Sequence, residues 1–563
     1  MRVRFWDVRA MAKTPHLSPL PLNEGRGGSP PSRYLLPSAK ALATPCDYRA
    51  TNLVIVIGIL AVAARLILIS QPYVDHWSWR QSDVAAIARN FLQNGFRFAY
   101  PQIDWAGNAP GYVGTEFPIL PFIAALCYKF AGIHEWVGRI QAVILFAVSL
   151  PCFFLLVREI FGSTAAVWAT FFYSFAPVNI FAGRSFMPDV PSLSFAIVGL
   201  YLLLRYVEHN ESSSFLVAAI ALSLSFLIKI TSIVIVVPLA YIVVGRLYRT
   251  PGVSQNGAAE TRMISTGSSL ERLSGVERVQ RRTVVGAAAI FTAIALLPSV
   301  IWYWHAHQIV ETFYPHHFFG AGGIRIESFS WYSHIAQQSL VSSLTPTLSA
   351  MALVGLFVTQ SRDRSYSRLF HWWLAAMIVF IILVGYGNRH RWYQLPLVPI
   401  AAAFAGAGCA FVGSRISSRF AAITSSIVLA VSFLIPAFVC VRPFYESSAA
   451  QLRDAGLEVK KLTPSDALIV AADMGDPTIF YYAERKGWHF LEENAIYNGN
   501  PDDSEQAIEN LERLRRRGTT HFVFTRNTFS WLQSYPEFAE YLLQNSTLIE
   551  ATPEFRIYKL TVR

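Results

Sequence analysis

The segment 117–132, FPILPFIAALCYKFAG, decides how the rest of the chain is read. It is apolar, but it falls short of the roughly 20 residues a helix needs to cross a bilayer core, and Pro118 and Pro121 interrupt it. Either it is a span, or it lies half-inserted at the membrane surface. The two choices put the later connections on opposite sides of the bilayer.

Around it lie apolar helical stretches at 51–70, 139–157, 163–183, 190–206, 213–228, 231–248, 283–304, 344–360, 369–387, 394–412 and 420–440. If 117–132 does not span, the connections 158–162, 205–213, 246–282, 362–368 and 414–419 share one side and hold 14 Lys and Arg. The basic tail 1–50 joins them, the asymmetry expected of cytoplasmic loops. Counting 117–132 as a span breaks this agreement. The expectation is therefore a polytopic all-α protein of the cell (inner) membrane with about eleven transmembrane helices and interfacial helices in the first outer loop. Its N-terminus is cytoplasmic and its C-terminus extracytoplasmic.

Composition agrees. Only 15% of the 563 residues are charged, against about 25% in soluble proteins. The middle 391 residues, 51–441, hold 25 basic and 15 acidic side chains, too few for a water-exposed surface. A soluble enzyme, a disordered chain and a disulfide scaffold are excluded. The net charge of +11 sits among apolar segments and their connections, so it reads as topology signalling and not as a nucleic-acid surface. Cys127, Cys152 and Cys409 lie in apolar runs and read as small hydrophobes.

Three regions follow. Residues 1–50, dense in Pro, Gly, Ser and Arg, form a disordered tail, either a cytoplasmic extension or a start-site artefact. Residues 51–441 form the membrane domain, with the outer loop 71–138 and a flexible cytoplasmic linker at 249–282. Residues 442–563 alternate strand-like and helical runs, which predicts a small α/β extracytoplasmic domain. Its Asp473-Met474-Gly475-Asp476-Pro477 turn has one glycine and carries no phosphate-binding fingerprint.

Topology makes the scarce acids a short list: Asp75, Asp83, Asp104, Glu116, Glu135, Asp189, Glu311 and Glu327 fall on the outer side. A reaction there that needs a carboxylate base draws on these or on the C-terminal domain. Asp83 precedes Val84, Ile87, Ala88, Phe91 and Leu92, which recur at helical spacing, so it either caps that helix or serves catalysis. Glu116 stands before Pro118. Asp189, in Gly183-Arg184-Ser185-Phe186-Met187-Pro188-Asp189, is a second N-cap or a second acid. Lys229 lies between two apolar runs and either snorkels to the interface or holds an anion. Arg389 and Arg391, in Asn388-Arg389-His390-Arg391-Trp392-Tyr393, are interfacial anchors or a second cationic site. Carboxylates beside isolated cations on one face suit transfer from a lipid-linked phosphate. His305, His307, His316 and His317 show no metal-ligand spacing.

The runs 79–92 (WRQSDVAAIARNFL) and 115–119 (TEFPI) resemble the first outer loop of the C-superfamily glycosyltransferases, in the protein O-mannosyltransferase-like and aminoarabinose (lipid A) transferase-like branches. GRSFMPD at 183–189, the Lys229 turn and WYQLPLVP at 392–399 follow in the expected order. The resemblance covers about residues 51–441. It implies transfer of a sugar, with inversion, from a polyprenyl-monophosphate carrier to a lipid, protein or cell-wall glycan acceptor outside the cytoplasm. It implies no metal, and no cofactor is expected. By position, Asp83 would be the first-loop catalytic carboxylate, Glu116 would sit beside a sugar and Asp189 would be the second-loop acid. Lys229, Arg184, Arg389 and Arg391 would be the candidates for the carrier phosphate. Relatives often place an Asp-Glu pair where Arg80-Gln81-Ser82-Asp83 offers one acid, so the base is Asp83 or Asp75. Two other classes remain: a transporter or flippase of a polar or lipid-linked substrate, and a ligase or polymerase using a diphosphate-linked donor.

Overall fold

The computed structural model describes residues 48–209, 211–248, 267–318, 323–358, 366–493 and 496–561. Most of the expected tail 1–50, and residues 249–266 of the expected linker, lie outside the described residues.

The chain enters on α1 (Tyr48–Leu66), apolar on every side as a lipid-facing helix should be. The loop 71–138, expected to be the outer loop, then forms α2 (Ser78–Gln93) and α3 (Ile119–Ala131). The 13 residues of α3 rise only ~20 Å, short of a ~30 Å hydrocarbon core. One face of α3 buries Leu120, Ala124, Ala125 and Tyr128, while Ile123, Leu126 and Phe130 are exposed on the other. The segment 117–132 thus holds a short two-faced helix.

The bundle continues with α4 (Glu135–Phe161), α5 (Ser163–Phe175), α6 (Pro177–Ala182), α7 (Asp189–His209), α8 (Ser212–Ile228) and α9 (Val236–Tyr248). After it come α10 (Gly267–Thr312), α11 (Phe329–Gln337), α12 (Pro346–Leu356), α13 (Leu369–Val384), α14 (Leu397–Gly413) and α15 (Arg419–Val441). Each of the expected stretches is matched by a helix or a broken helix. Among the described residues seven helices are long and apolar enough to cross a membrane alone, and an eighth counts if the pair around α11 and α12, bent by 107°, is one span. The sequence windows give a higher number because they read through the break at Pro177 and include α8 and α14, which at 17 residues each fall short of that length. Pro177 parts α5 from α6, and Lys229 parts α8 from the 3-10 turn Ile230–Ile235 that leads into α9. The chain is a multi-pass membrane protein.

Small residues let the short interior helices approach closely. The run Ala401-Ala402-Ala403-Phe404-Ala405-Gly406 of α14 packs between α5 and α12. A Cβ on Gly355 of α12 would lie 1.7 Å from the Phe404 carbonyl oxygen, so only glycine permits this crossing.

Beyond α15 come α16 (Ala450–Leu462), β1 (Ile469–Ala472), α17 (Thr478–Ala483), β2 (Gly487–His489), β3 (Glu492–Glu493) and β4 (Ile496–Tyr497). They are followed by α18 (Ser504–Arg516), β5 (His521–Thr525), α19 (Trp531–Ser534), α20 (Pro536–Asn545), β6 (Ser546–Ala551) and β7 (Phe555–Leu560). The main sheet runs β2-β1-β5-β7-β6; β1 is parallel to β2 and β5, and β7 is antiparallel to β5 and β6. Alternate residues serve the two faces. Ile469, Ala471, Val523 and Ile557 join α16 and α17, and Val470, Phe522, Phe524 and Tyr558 join α18 and α20. The hairpin β6–β7 was not foreseen, because its first strand is half-exposed and lacks a clean apolar alternation.

This domain shares a core with the outer loop. Ile87, Phe91, Ile103 and Trp105 cluster with Leu452, Val459, Ile479 and Phe480. The loop before α3 also pairs with the start of β2: Gly487 N–H donates to the Asp104 carbonyl at 3.1 Å, and Gly107 N–H to the Gly487 carbonyl at 2.7 Å. Gly107 has φ +59°, and a Cβ there would lie 1.8 Å from the Trp488 ring.

Candidate active site

A cavity of about 710 Å³ opens where α2, the outer loop, the turn after α13 and the C-terminal domain meet. Its position follows from α2. That helix begins at Ser78, and the Asp75 carboxylate before it accepts the Trp77 N–H at 3.2 Å. Neither Ser82 nor Asp83 is therefore the N-cap. Arg80 and Asp83, three residues apart, both reach the cavity.

Asp83 is buried, and its Oδ1 accepts the Trp105 indole N–H at 3.0 Å. Burial pushes its carboxyl up to about 7, against the pull of the Trp105 hydrogen bond, Arg80 and His489. Asp75 has a different task. It holds Arg139 at 3.0 Å, Gln81 Nε2 at 2.7 Å and Arg184 at 3.9 Å, and it does not line the cavity. Of the two acids left open by the sequence, Asp83 faces the space where a substrate fits.

Glu116 lines the cavity but is committed to Arg80, which donates to its two oxygens at 2.8 and 2.9 Å. Lys229, at the break after α8, also lines it. Its ammonium is bonded to Asp189 and lies 4.8 Å from the Tyr393 ring centre. Asp189, the first residue of α7, stands behind Lys229 and outside the cavity lining. Arg389 lines the cavity, stacked on Tyr386 at 3.9 Å.

Two expected phosphate ligands are elsewhere. Arg184 is buried between the Phe181 and Tyr445 rings and donates to the Leu68 carbonyl at 2.6 Å. Arg391 turns to Phe444, 5.0 Å from its ring centre. Neither lines the cavity.

The C-terminal domain contributes Asp473, Asp476 and His489, to which sequence reasoning gave no role. The His489 Nδ1 is 2.9 Å from both Asp473 oxygens, and Asp476 accepts from Ser78 Oγ at 2.8 Å. Burial alone would lower the His489 imidazole, but the adjoining Asp473 carboxylate leaves it raised. A topological signal marks this turn. β1 has β2 on one side and β5 on the other, and ligands of α/β sheets bind past the strand ends at such a switch point. His317 and His390 line the cavity too. Burial and neighbouring cations lower the first to about 4 and the second to about 3, so both are neutral at pH 7. Trp79, Trp105, Trp392 and Tyr393 supply aromatic walls.

The cavity thus has a cationic end, at Lys229 and Arg389, and an acidic end shared by Asp83 and the C-terminal domain. Among the described residues no three His, Cys, Asp or Glu side chains converge as metal ligands would.

In fold the chain resembles the membrane glycosyltransferases of the C-superfamily. The family profile for dolichyl-phosphate-mannose-protein mannosyltransferase matches residues 115–258. ArnT from Cupriavidus metallidurans, solved bound to undecaprenyl phosphate, superposes with a TM-score of 0.59 at 12% identity, covering 90% of this chain and 98% of that one. The oligosaccharyltransferase AglB from Archaeoglobus fulgidus, in complex with an inhibitory peptide and a dolichol-phosphate, gives 0.55 at 13% identity, covering 91% and 74%. In sequence, "Putative mannosyltransferase YkcB" of Bacillus subtilis (strain 168) is 21% identical over 226 residues, 38% of this chain. The match takes in 30% of that relative's length. The family and the structural neighbours are glycosyltransferases, and this chain resembles them in sequence and shares their fold.

Proposed function

We propose that the chain transfers a sugar from a polyprenyl-monophosphate carrier to a lipid, protein or glycan acceptor, with inversion, on the extracytoplasmic face of the cell membrane. In this reading residues 51–441 form the transferase domain and 442–563 an extracytoplasmic domain that closes over it. The observation that carries it is the shared cavity: Asp83, Glu116, Lys229 and Arg389 line one space with a cationic and an acidic end.

A glycosyl phosphate already has a competent leaving group, so the protein has two tasks. Lys229 and Arg389 stabilise the negative charge that grows on the departing phosphate as its bond to the anomeric carbon breaks. Asp83 takes the proton of the acceptor hydroxyl as its oxygen bonds to that carbon from the opposite face. The Glu116–Arg80 pair holds the α2 face in place, and Asp189 holds Lys229. Product analysis with matched monophosphate- and diphosphate-linked donors tests the reading. Transfer from the monophosphate alone is expected. Transfer only from the diphosphate, or substrate flux with no transfer, overturns it.

A further inference from the structure

To take a proton Asp83 must be ionised, and its burial opposes that. The charges facing it come from several elements. Arg80, on α2 itself, is bonded to both oxygens of Glu116. His317, after α10, lines the cavity as a neutral ring. Asp476, after β1, adds a like charge from the C-terminal domain. His489, at the end of β2 and paired with both oxygens of Asp473, is the second charged group, after Arg80, that pulls the Asp83 carboxyl down.

The imidazole is held in place. Asp473 binds Nδ1 with both oxygens, Trp105 lies across the ring at 5.2 Å, and Phe480 meets it edge-on at 5.2 Å. The same Trp105 donates to Asp83, so one indole touches both the acid and the imidazole. The hydrogen bonds of His489 among the described residues are made by Nδ1, and the residue lines the cavity.

We propose that His489, anchored by Asp473, is a positioning residue: its imidazolium keeps Asp83 a carboxylate, so the C-terminal domain completes the catalytic centre. This rests on the reading of Asp83 as the base, but it is testable without any substrate. Full-length protein in detergent is treated with dicyclohexylcarbodiimide, which attacks protonated carboxyls, over a pH series. Modification of the Asp83 peptide is followed by mass spectrometry, with Asp83→Asn as the blank. His489→Gln is expected to raise the midpoint by about one pH unit, and His489→Lys to return it to the wild-type value. The coupling is reciprocal. Asp83→Asn should therefore lower the His489 midpoint seen by NMR of labelled histidine, a check that needs no change at His489. An unmoved Asp83 midpoint in His489→Gln, or an unmoved His489 midpoint in Asp83→Asn, overturns the proposal. Coupled titrations without sugar transfer would contradict the glycosyltransferase reading alone; transfer with uncoupled titrations would contradict the role of His489 alone.

Discussion

Asp75 and Asp83 are both buried acids of the first outer loop, and their partners separate their roles. Asp75 is satisfied by Arg139 and Gln81 and holds the loop to α4. Asp75→Asn leaves Arg139 buried beside a neutral partner, so it should destabilise the protein by about 3–5 kcal/mol, read as a lower thermal midpoint in detergent. Among the described residues Asp83 has one hydrogen-bonded side-chain neighbour, Trp105, and it lines the cavity. Its carboxyl titrates at about 7 because it is buried, and the base works only when ionised. The transfer rate should therefore fall about tenfold per pH unit below 7 and level off above it, checked by kcat/KM against pH. A profile flat down to pH 5 would contradict this. Both acids were visible in the sequence because acids are scarce in the middle of the chain. What separated them was not: Asp75 is held by Arg139 and Arg184, which lie far along the chain, and local spacing does not encode that.

At the scale of elements, the charge asymmetry of the connections set 117–132 apart from the spans, and the helix there has 13 residues. Hydropathy was less able to see where spans break at Pro177, which sits inside the apolar run 163–183, whereas Lys229 already stood between two runs. These breaks matter, because the one at Lys229 delivers its ammonium to the cavity. Close packing of α12 on α14 was also hidden; glycine in an apolar run does not announce its neighbour. Gly355→Val should push the Phe404 carbonyl away and cost about 1–3 kcal/mol, seen as a lower unfolding midpoint with the pH profile unchanged.

Over the whole molecule, the site belongs to no single region. The cavity takes Lys229 and Arg389 from the membrane bundle, Arg80, Asp83 and Glu116 from the loop 71–138, and Asp473 and Asp476 from a domain hundreds of residues later. The sequence showed that this domain exists and which elements alternate in it. Its docking on α2 was not legible, because Ile479, Phe480 and Leu452 look like ordinary core residues until Ile87 and Phe91 are seen beside them. The central claim is that this composite cavity transfers a sugar with Asp83 as its base. The direct measurement is the rate of sugar release from a radiolabelled polyprenyl-monophosphate donor by the purified full-length protein and its Asp83→Asn variant. The account predicts a loss of about 10²–10⁴-fold with an unchanged unfolding midpoint. Wild-type rates in Asp83→Asn would contradict it.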